Sequence, residues 1–189
     1  MLCVLRADEH VAMPWANGAG VTYQVAAFPN NSDLGTFGWR VSMADVSQSG
    51  PFSHFAGIDR ILTVIGPHDF ELTINGETVG VPRHSPLNFA GDDDVSVELL
   101  DGPTTDLNVM TRRGEFVASV AIHNAAAGLL ITPALRDTTL GVVLQGEANV
   151  TADGSSKFTT LYKRDVVVTD RAITIKGPGL IALITISPK

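Results

Sequence analysis

The chain has 189 residues, a formal net charge of −7 at pH 7 and 44% hydrophobic residues, enough apolar material for one sizeable core or two small fused ones and too much for disorder. No basic block exceeds the pair Arg112–Arg113, so the electrostatic footprint that nucleic acid or an anionic membrane requires is missing, and neither is expected as a partner. A lone Cys3, an "MLCVL" start too short for a signal h-region and the lack of an 18-residue apolar run lead to the expectation of a reducing compartment, the cytoplasm, with no internal disulfide.

The first stretch with a shape of its own is "MPWANGAGVTYQVAAFP", residues 13–29. Gly18 and Gly20 free the backbone for positive φ and Pro14 stiffens the entry, which predicts a shaped turn running into a strand. A turn has no need of an indole. Trp15 and Asn17 are therefore candidates for a ligand-facing wall, the alternative being a Trp plug at one end of a barrel. Downstream come "WRVSMADV", "RILTVI", "FELTI", "VSVELL", "LNVM", "FVASVAI", "LGVVLQ", "VVVT", "AITI" and "LIALITI". All are short, mostly β-branched and bounded by Gly, Pro, Asn or Asp, and no window sustains helical periodicity for three turns. The expected class is all-β, a sandwich or barrel. "LIALITI", apolar on both faces, belongs in the middle of a packed sheet.

A weak repeat runs through the chain. An offset of 78 residues sets "FELTING" (70–76) over "ANVTADG" (148–154) and "GDDDVSV" (91–97) over "TDRAITI" (169–175), while Asp106 falls over Ile184 and Asn108 over Ile186. One β unit is used twice, with polar residues of the first copy replaced by core in the second. "GVVLQGEANV" and "YKRDVVV" read like the hairpin and the "gD-x-v-x-v" strand of a cupin. The expectation is two fused cupin-like barrels of the double-stranded β-helix, RmlC-like jelly-roll kind. The first, residues 1–115, would carry the ligand site; the second, 116–189, would be degenerate, with some strand exchange between the halves.

Side chains alternate across a strand, so residues i and i+2 share a face. Arg40 and Ser42 then lie opposite Val41 and Met43, Thr22 and Gln24 opposite Tyr23 and Val25, and Asp106, Asn108, Met110 and Arg112 opposite Leu107 and Val109. These faces hold no Lys. They are rich instead in groups that fix hydrogen-bond directions, as a lumen gripping a small polar molecule requires; a solvated outer face is the plainer alternative. The loop "SGPFSHFAGIDR" (49–60) brings Ser53, His54, Asp59 and Arg60 to the same neighbourhood. Arg60 either pairs with a neighbouring acid such as Asp59 or joins Arg40 as a clamp for a carboxylate. The five histidines, His10, His54, His68, His84 and His123, include no H-x-H, so neither a metal nor another cofactor is expected, and no residue is assigned as catalytic. "GDDD" (91–94) is read as a solvated turn.

Taken together, "MPWANGAGVTYQVA", "FGWRVSMADVSQSGPFSHFAGIDRILTVI" and "LLDGPTTDLNVMTRRG" resemble the HutD/Ves family. The resemblance implies a bicupin without metal-binding histidines and an auxiliary or governing role in histidine utilisation, sensing a pathway intermediate such as a formylated glutamate-like acid. It carries over Trp15, Asn17, Gly18, Gly20, Thr22, Trp39, Arg40, Ser42, Gly50, Phe52, Ser53, Gly57, Arg60, Asp106, Asn108 and Met110. Ala16 stands where the family commonly has Lys, Gln24 where it has Glu, and Leu107 where it has Phe. The expected function is non-catalytic binding of a small carboxylate, with Trp15, Asn17, Thr22, Trp39, Arg40, Ser42, Ser53, His54, Arg60, Asp106 and Asn108 around the ligand. The alternatives are a metal-independent isomerase or hydrolase using His54 or Asp106, and a protein-interaction module; a homodimer through an edge strand is a further expectation.

Overall fold

A computed structural model describes residues 2–189, and nearly every apolar run of the sequence is extended in it. In chain order the strands are β1 (Leu2–Leu5), β2 (Val11–Pro14), β3 (Gly20–Phe28), β4 (Trp39–Val46), β5 (Gly50–Pro51), β6 (Ile58–Val64), β7 (Phe70–Ile74), β8 (Glu77–Val81), β9 (Leu87–Ala90) and β10 (Val95–Leu99). They continue with β11 (Thr104–Arg112), β12 (Phe116–Asn124), β13 (Leu129–Ile131), β14 (Thr138–Gln145), β15 (Ala148–Ala152), β16 (Phe158–Leu161), β17 (Val166–Thr169), β18 (Ile173–Lys176) and β19 (Leu180–Pro188). One 3-10 turn, Ala7–Glu9, is the only helix among the described residues, and none is long and apolar enough to cross a membrane.

The chain divides into two compact units, Val11–Val117 with Lys189, and the residues up to His10 with Ala118–Pro188. In the first unit the sheets run β2-β3-β4-β11-β6-β9 and β5-β10-β7-β8. Ala44, Val46, Leu62 and Val64 of one meet Phe70, Leu72, Val95 and Val97 of the other in a shared apolar cluster. In the second unit the orders are β1-β17-β14-β19-β12 and β13-β18-β15-β16, closed on Val143, Val150, Val167, Ile173, Ile175 and Ile181. The path β4-β11-β6-β9 is matched by β12-β19-β14-β17, and β5-β10-β7-β8 by β13-β18-β15-β16, so the all-β, twice-used unit read from the sequence is the fold adopted. "LIALITI" lies inside its sheet, between β14 and β12.

One detail of the repeat differs. Ile181 and Leu183, rather than Ile184 and Ile186, pack with the inner cluster of the second unit. A slip by an odd number of residues exchanges the two faces of a strand, so the 78-residue offset that fits β7 and β15 does not carry through to β19. The inner wall is apolar at either register. Leu2–Leu5, placed by the sequence with the first barrel, fall in the second unit, where they pair antiparallel with Val166–Thr169.

Candidate functional site

Five strands of the first unit build a ladder with polar rungs. Arg40 of β4 pairs with Met110 of β11, which pairs with Arg60 of β6, which pairs with Phe89 of β9. The next rung inward is Gln24, Ser42, Asn108 and Leu62, and the next Thr22, Ala44, Asp106 and Val64. A bulge between Gln24 and Ala26 keeps β3 in step with this face. Below these rungs the interior turns apolar, which leaves the polar ends facing a cavity of about 440 Å³, within the size range of small-ligand sites.

Nine of the residues expected at the site line this cavity: Trp15, Asn17, Thr22, Arg40, Ser42, Ser53, Arg60, Asp106 and Asn108. Two do not. Trp39 precedes Arg40 and so takes the other face of β4, where it stacks on Phe28 with centroids 6.2 Å apart. His54 is exposed, its Nε2 lying 3.1 Å from the Asp92 carbonyl oxygen. Asp59, the acid nearest Arg60 in sequence, points away from it and holds Arg113 at 2.7 Å. The "GDDD" turn is stapled rather than merely solvated: Asp92 accepts from Gly57 N and meets Arg113 at 2.8 Å, and Asp93 accepts from Ala90 N and Asn75 Nδ2.

The rim is set by the turn at 15–20. Trp15 N donates to Gly20 O, Gly18 takes φ +70°, and Asn17 Oδ1 accepts from Ala19 N at 3.0 Å. The Trp15 indole donates to Thr22 Oγ1 at 2.8 Å, and the ring both lines the cavity and packs against the apolar cluster. Asn17 spends its oxygen on the turn, leaving its amide nitrogen as the group a ligand would meet.

Both arginines are nearly buried, Arg40 at 6% exposure and Arg60 at 5%, and neither forms an ion pair among the described residues. Arg40 Nε donates to Gln24 Oε1 at 3.0 Å and Nη2 lies 3.8 Å from Met13 Sδ. Arg60 has long contacts only, to Asn108 Oδ1 at 3.4 Å and Ser53 O at 3.5 Å. Its charge rests instead among three rings: Phe89, Phe52 and Phe55, at 4.8, 5.3 and 5.7 Å from Cζ, a cation–π arrangement. These rings were not foreseen as site residues. Phe52 and Phe55 sit in a loop whose path the sequence does not fix, and Phe89 arrives through a long-range strand pairing.

Burial lowers the pKa of Arg40 and, against the attraction of Asp106 and with the repulsion of Arg40, holds that of Arg60 down at about 10. Both remain cations at neutral pH. Asp106 is 2% exposed; burial, opposed by Arg60 and aided by Asp45, pushes its pKa up to about 7. Its Oδ1 is buried without a hydrogen-bond partner. No group of three or more His, Cys, Asp or Glu side chains that could hold a metal ion occurs among the described residues. What converges on the cavity is a pair of cations without ion-pair partners, with three hydroxyls, two amides and a carboxyl.

A family model described as HutD matches residues 7–181. The chain belongs to the HutD family. Over 110 residues it is 37% identical to an uncharacterised 21.2 kDa protein in the hutC 3′ region of Pseudomonas putida, a stretch covering 58% of this chain; the chain spans little more than half, 57%, of that relative's length. The solved HutD from Pseudomonas fluorescens SBW25, in a formate condition, is 31% identical with a TM-score of 0.84 over the whole of both chains. A conserved protein of unknown function from Pseudomonas aeruginosa PAO1 aligns as fully at 26% identity and a TM-score of 0.88. A cupin 2 conserved barrel domain protein from Leptotrichia buccalis, 12% identical with a TM-score of 0.62 over 99% of this chain and 96% of its own, shares the fold. This HutD family member is thus a pair of cupin-like barrels.

Proposed function

We propose that this HutD family member binds a small organic acid in the first barrel, as a non-catalytic auxiliary of histidine utilisation. The observation that carries the reading is the pair Arg40 and Arg60, two nearly buried guanidiniums with no carboxylate partner in a cavity of about 440 Å³. An unpaired buried charge is costly, and an anionic guest removes the cost. The guanidinium forks suit a carboxylate bidentately, while Ser42, Asn108 and Asn17 offer donors to an amide or formyl oxygen, as in a formylated glutamate-like acid. Removing one charge-assisted contact is expected to cost about 2–3 kcal/mol, or roughly 30–150-fold in affinity.

A thermal-shift screen with formylglutamate, glutamate, urocanate and histidine tests this. At 100 times its dissociation constant a ligand adds about 2.7 kcal/mol, a clear rise in Tm. Arg40→Ala and Arg60→Ala are each expected to cut that stabilisation to about a third or less; a rise unchanged in both variants would sink the reading. Proton-transfer chemistry is the second reading, favoured by one observation: Asp106, with its pKa near 7, is suited to general acid or base work. It demands turnover that Asp106→Asn eliminates.

A further inference from the structure

Among the cavity-lining residues, Asp106 is the one whose chemistry an anion site does not explain. An ionised carboxylate only accepts hydrogen bonds, and every oxygen of a bound acid accepts as well; side by side they repel. Its rung neighbours, Ala44 on β4 and Val64 on β6, offer no side-chain donor, and Oδ1 is left bare. The charged and titratable groups around it are Arg60 from β6, which attracts it without forming an ion pair, Asp45 from β4, which repels it, and Arg40, the remaining cation of the lining. β2, β3, β5 and the turn at 15–17 contribute no titratable side chain to the lining.

We propose that Asp106 enters the complex as the neutral acid and donates its carboxyl proton to a second oxygen of the ligand, selecting acids that carry an acceptor beyond the carboxylate held by the arginines. The inference rests on the anion reading above. Geometry supports the division of labour: Asp106 lies four residues along β11 from Met110 of the arginine rung, roughly 13 Å between Cα atoms before the side chains reach in. A single small carboxylate does not engage both ends; a short-chain acid with oxygens at each end does. Burial holds Asp106 close to neutrality, so the proton is cheap to supply from solvent, and an anion beside it raises its affinity for that proton further.

Binding must then take up protons. Ligand carboxylates are fully ionised from pH 6 to 8, so any change of affinity in that window belongs to the protein. Calorimetric titration of the intact chain with N-formylglutamate and with glutarate, at pH 6 and pH 8 and in two buffers of different ionisation enthalpy, is expected to give several-fold weaker binding at pH 8. Proton uptake there should approach one per ligand. Asp106→Asn, which keeps a donor but cannot ionise, should bind with the same affinity at both pH values and take up no proton. Wild-type binding that is flat with pH and free of proton uptake, or an unchanged pH dependence in Asp106→Asn, would overturn this inference while leaving the arginine clamp standing. Absence of binding by any acid at pH 6 would overturn both. A carbon-13 titration of the Asp106 carboxyl in the ligand-free protein needs neither variant nor ligand: ionisation complete by pH 5 would refute the inference outright.

Discussion

Gln24 accepts the Nε proton of Arg40 at 3.0 Å, at a position where the family resemblance leads one to expect Glu. A neutral amide orients the guanidinium without neutralising it, so the charge stays available to a guest. Gln24→Glu is expected to weaken anion binding by about tenfold, through an internal ion pair that competes with the ligand; equal or tighter binding in a calorimetric titration would contradict that role. Asp106 makes a second prediction, on stability. Its folded pKa of about 7 lies above the usual carboxylate value of 3.8, so the folded state binds its proton more tightly than the unfolded chain does. The stability it contributes is fully present below pH 4 and is lost as the pH rises through 7. Asp106→Asn should therefore flatten the stability profile between pH 5 and 8, gaining on the wild type towards pH 8 by up to a few kcal/mol in chemical denaturation. A variant no more stable than wild type at pH 8 would mean Asp106 is already ionised at little cost. At this scale, alternation made Arg40, Ser42, Asp106 and Asn108 legible in the sequence. Trp39, expected around the ligand, was misplaced, although 39 and 40 cannot share a face of one strand. The aromatic ring set of Arg60 was not legible, since it depends on the path of the loop holding Phe52 and Phe55 and on which strand lies beside β6.

The turn between β2 and β3 shows how a strand-ending motif shapes a site. A Cβ on Gly20 would meet the Asp45 carbonyl oxygen at 2.5 Å and the Trp15 ring at 3.2 Å, so only glycine lets the indole sit down against Thr22. Gly20→Ala is expected to lower stability by about 1–3 kcal/mol and to release Trp15, visible as a red shift of tryptophan emission; an unchanged spectrum would show that the turn yields without moving the ring. The strands read from the sequence were those with β-branched, apolar runs, and β4, "WRVSMADV", was found with its bounds intact. Missing from that reading were β1, β5, β9, β13 and β16, together with β2, exposed along its whole length, and β8, exposed at four of its five residues. β2 holds four apolar residues and β8 two valines, runs too short to show a period, and most of those side chains face outward. Each is extended because a neighbour supplies its hydrogen bonds, β3 for β2 and β7 for β8, and that information is non-local.

Across the molecule the same topology serves two ends. In the first barrel β4, β6 and β11 bring two cations and a carboxyl to the rim of an apolar core; in the second, Ile181 and Leu183 of β19 fill the inner wall. The duplication was visible in strand spacing, while the difference between the two inner walls lay in a few inward positions. The second unit depends on its N-terminal strand. Asp165, 4% exposed, accepts from Arg6 Nη1 at 2.6 Å, Ala7 N at 3.0 Å and Tyr162 N at 3.0 Å, tying the end of β1 to the turn before β17. Asp165→Ala leaves those donors unmet, and with Arg6 able to turn to water the expected loss is about 2–3 kcal/mol, read as a fall in Tm; a change under about 0.5 kcal/mol would show the strand pairing alone to be sufficient. The net charge of −7 repels small acids at long range, so the proposed binding rests on the local field of Arg40 and Arg60. The most direct test is a crystal structure of the protein saturated with the acid that gives the largest thermal shift. The account predicts a carboxylate in the first barrel with its oxygens within about 3 Å of both guanidiniums. An acid bound elsewhere on the molecule, with that cavity empty of it, would contradict the account.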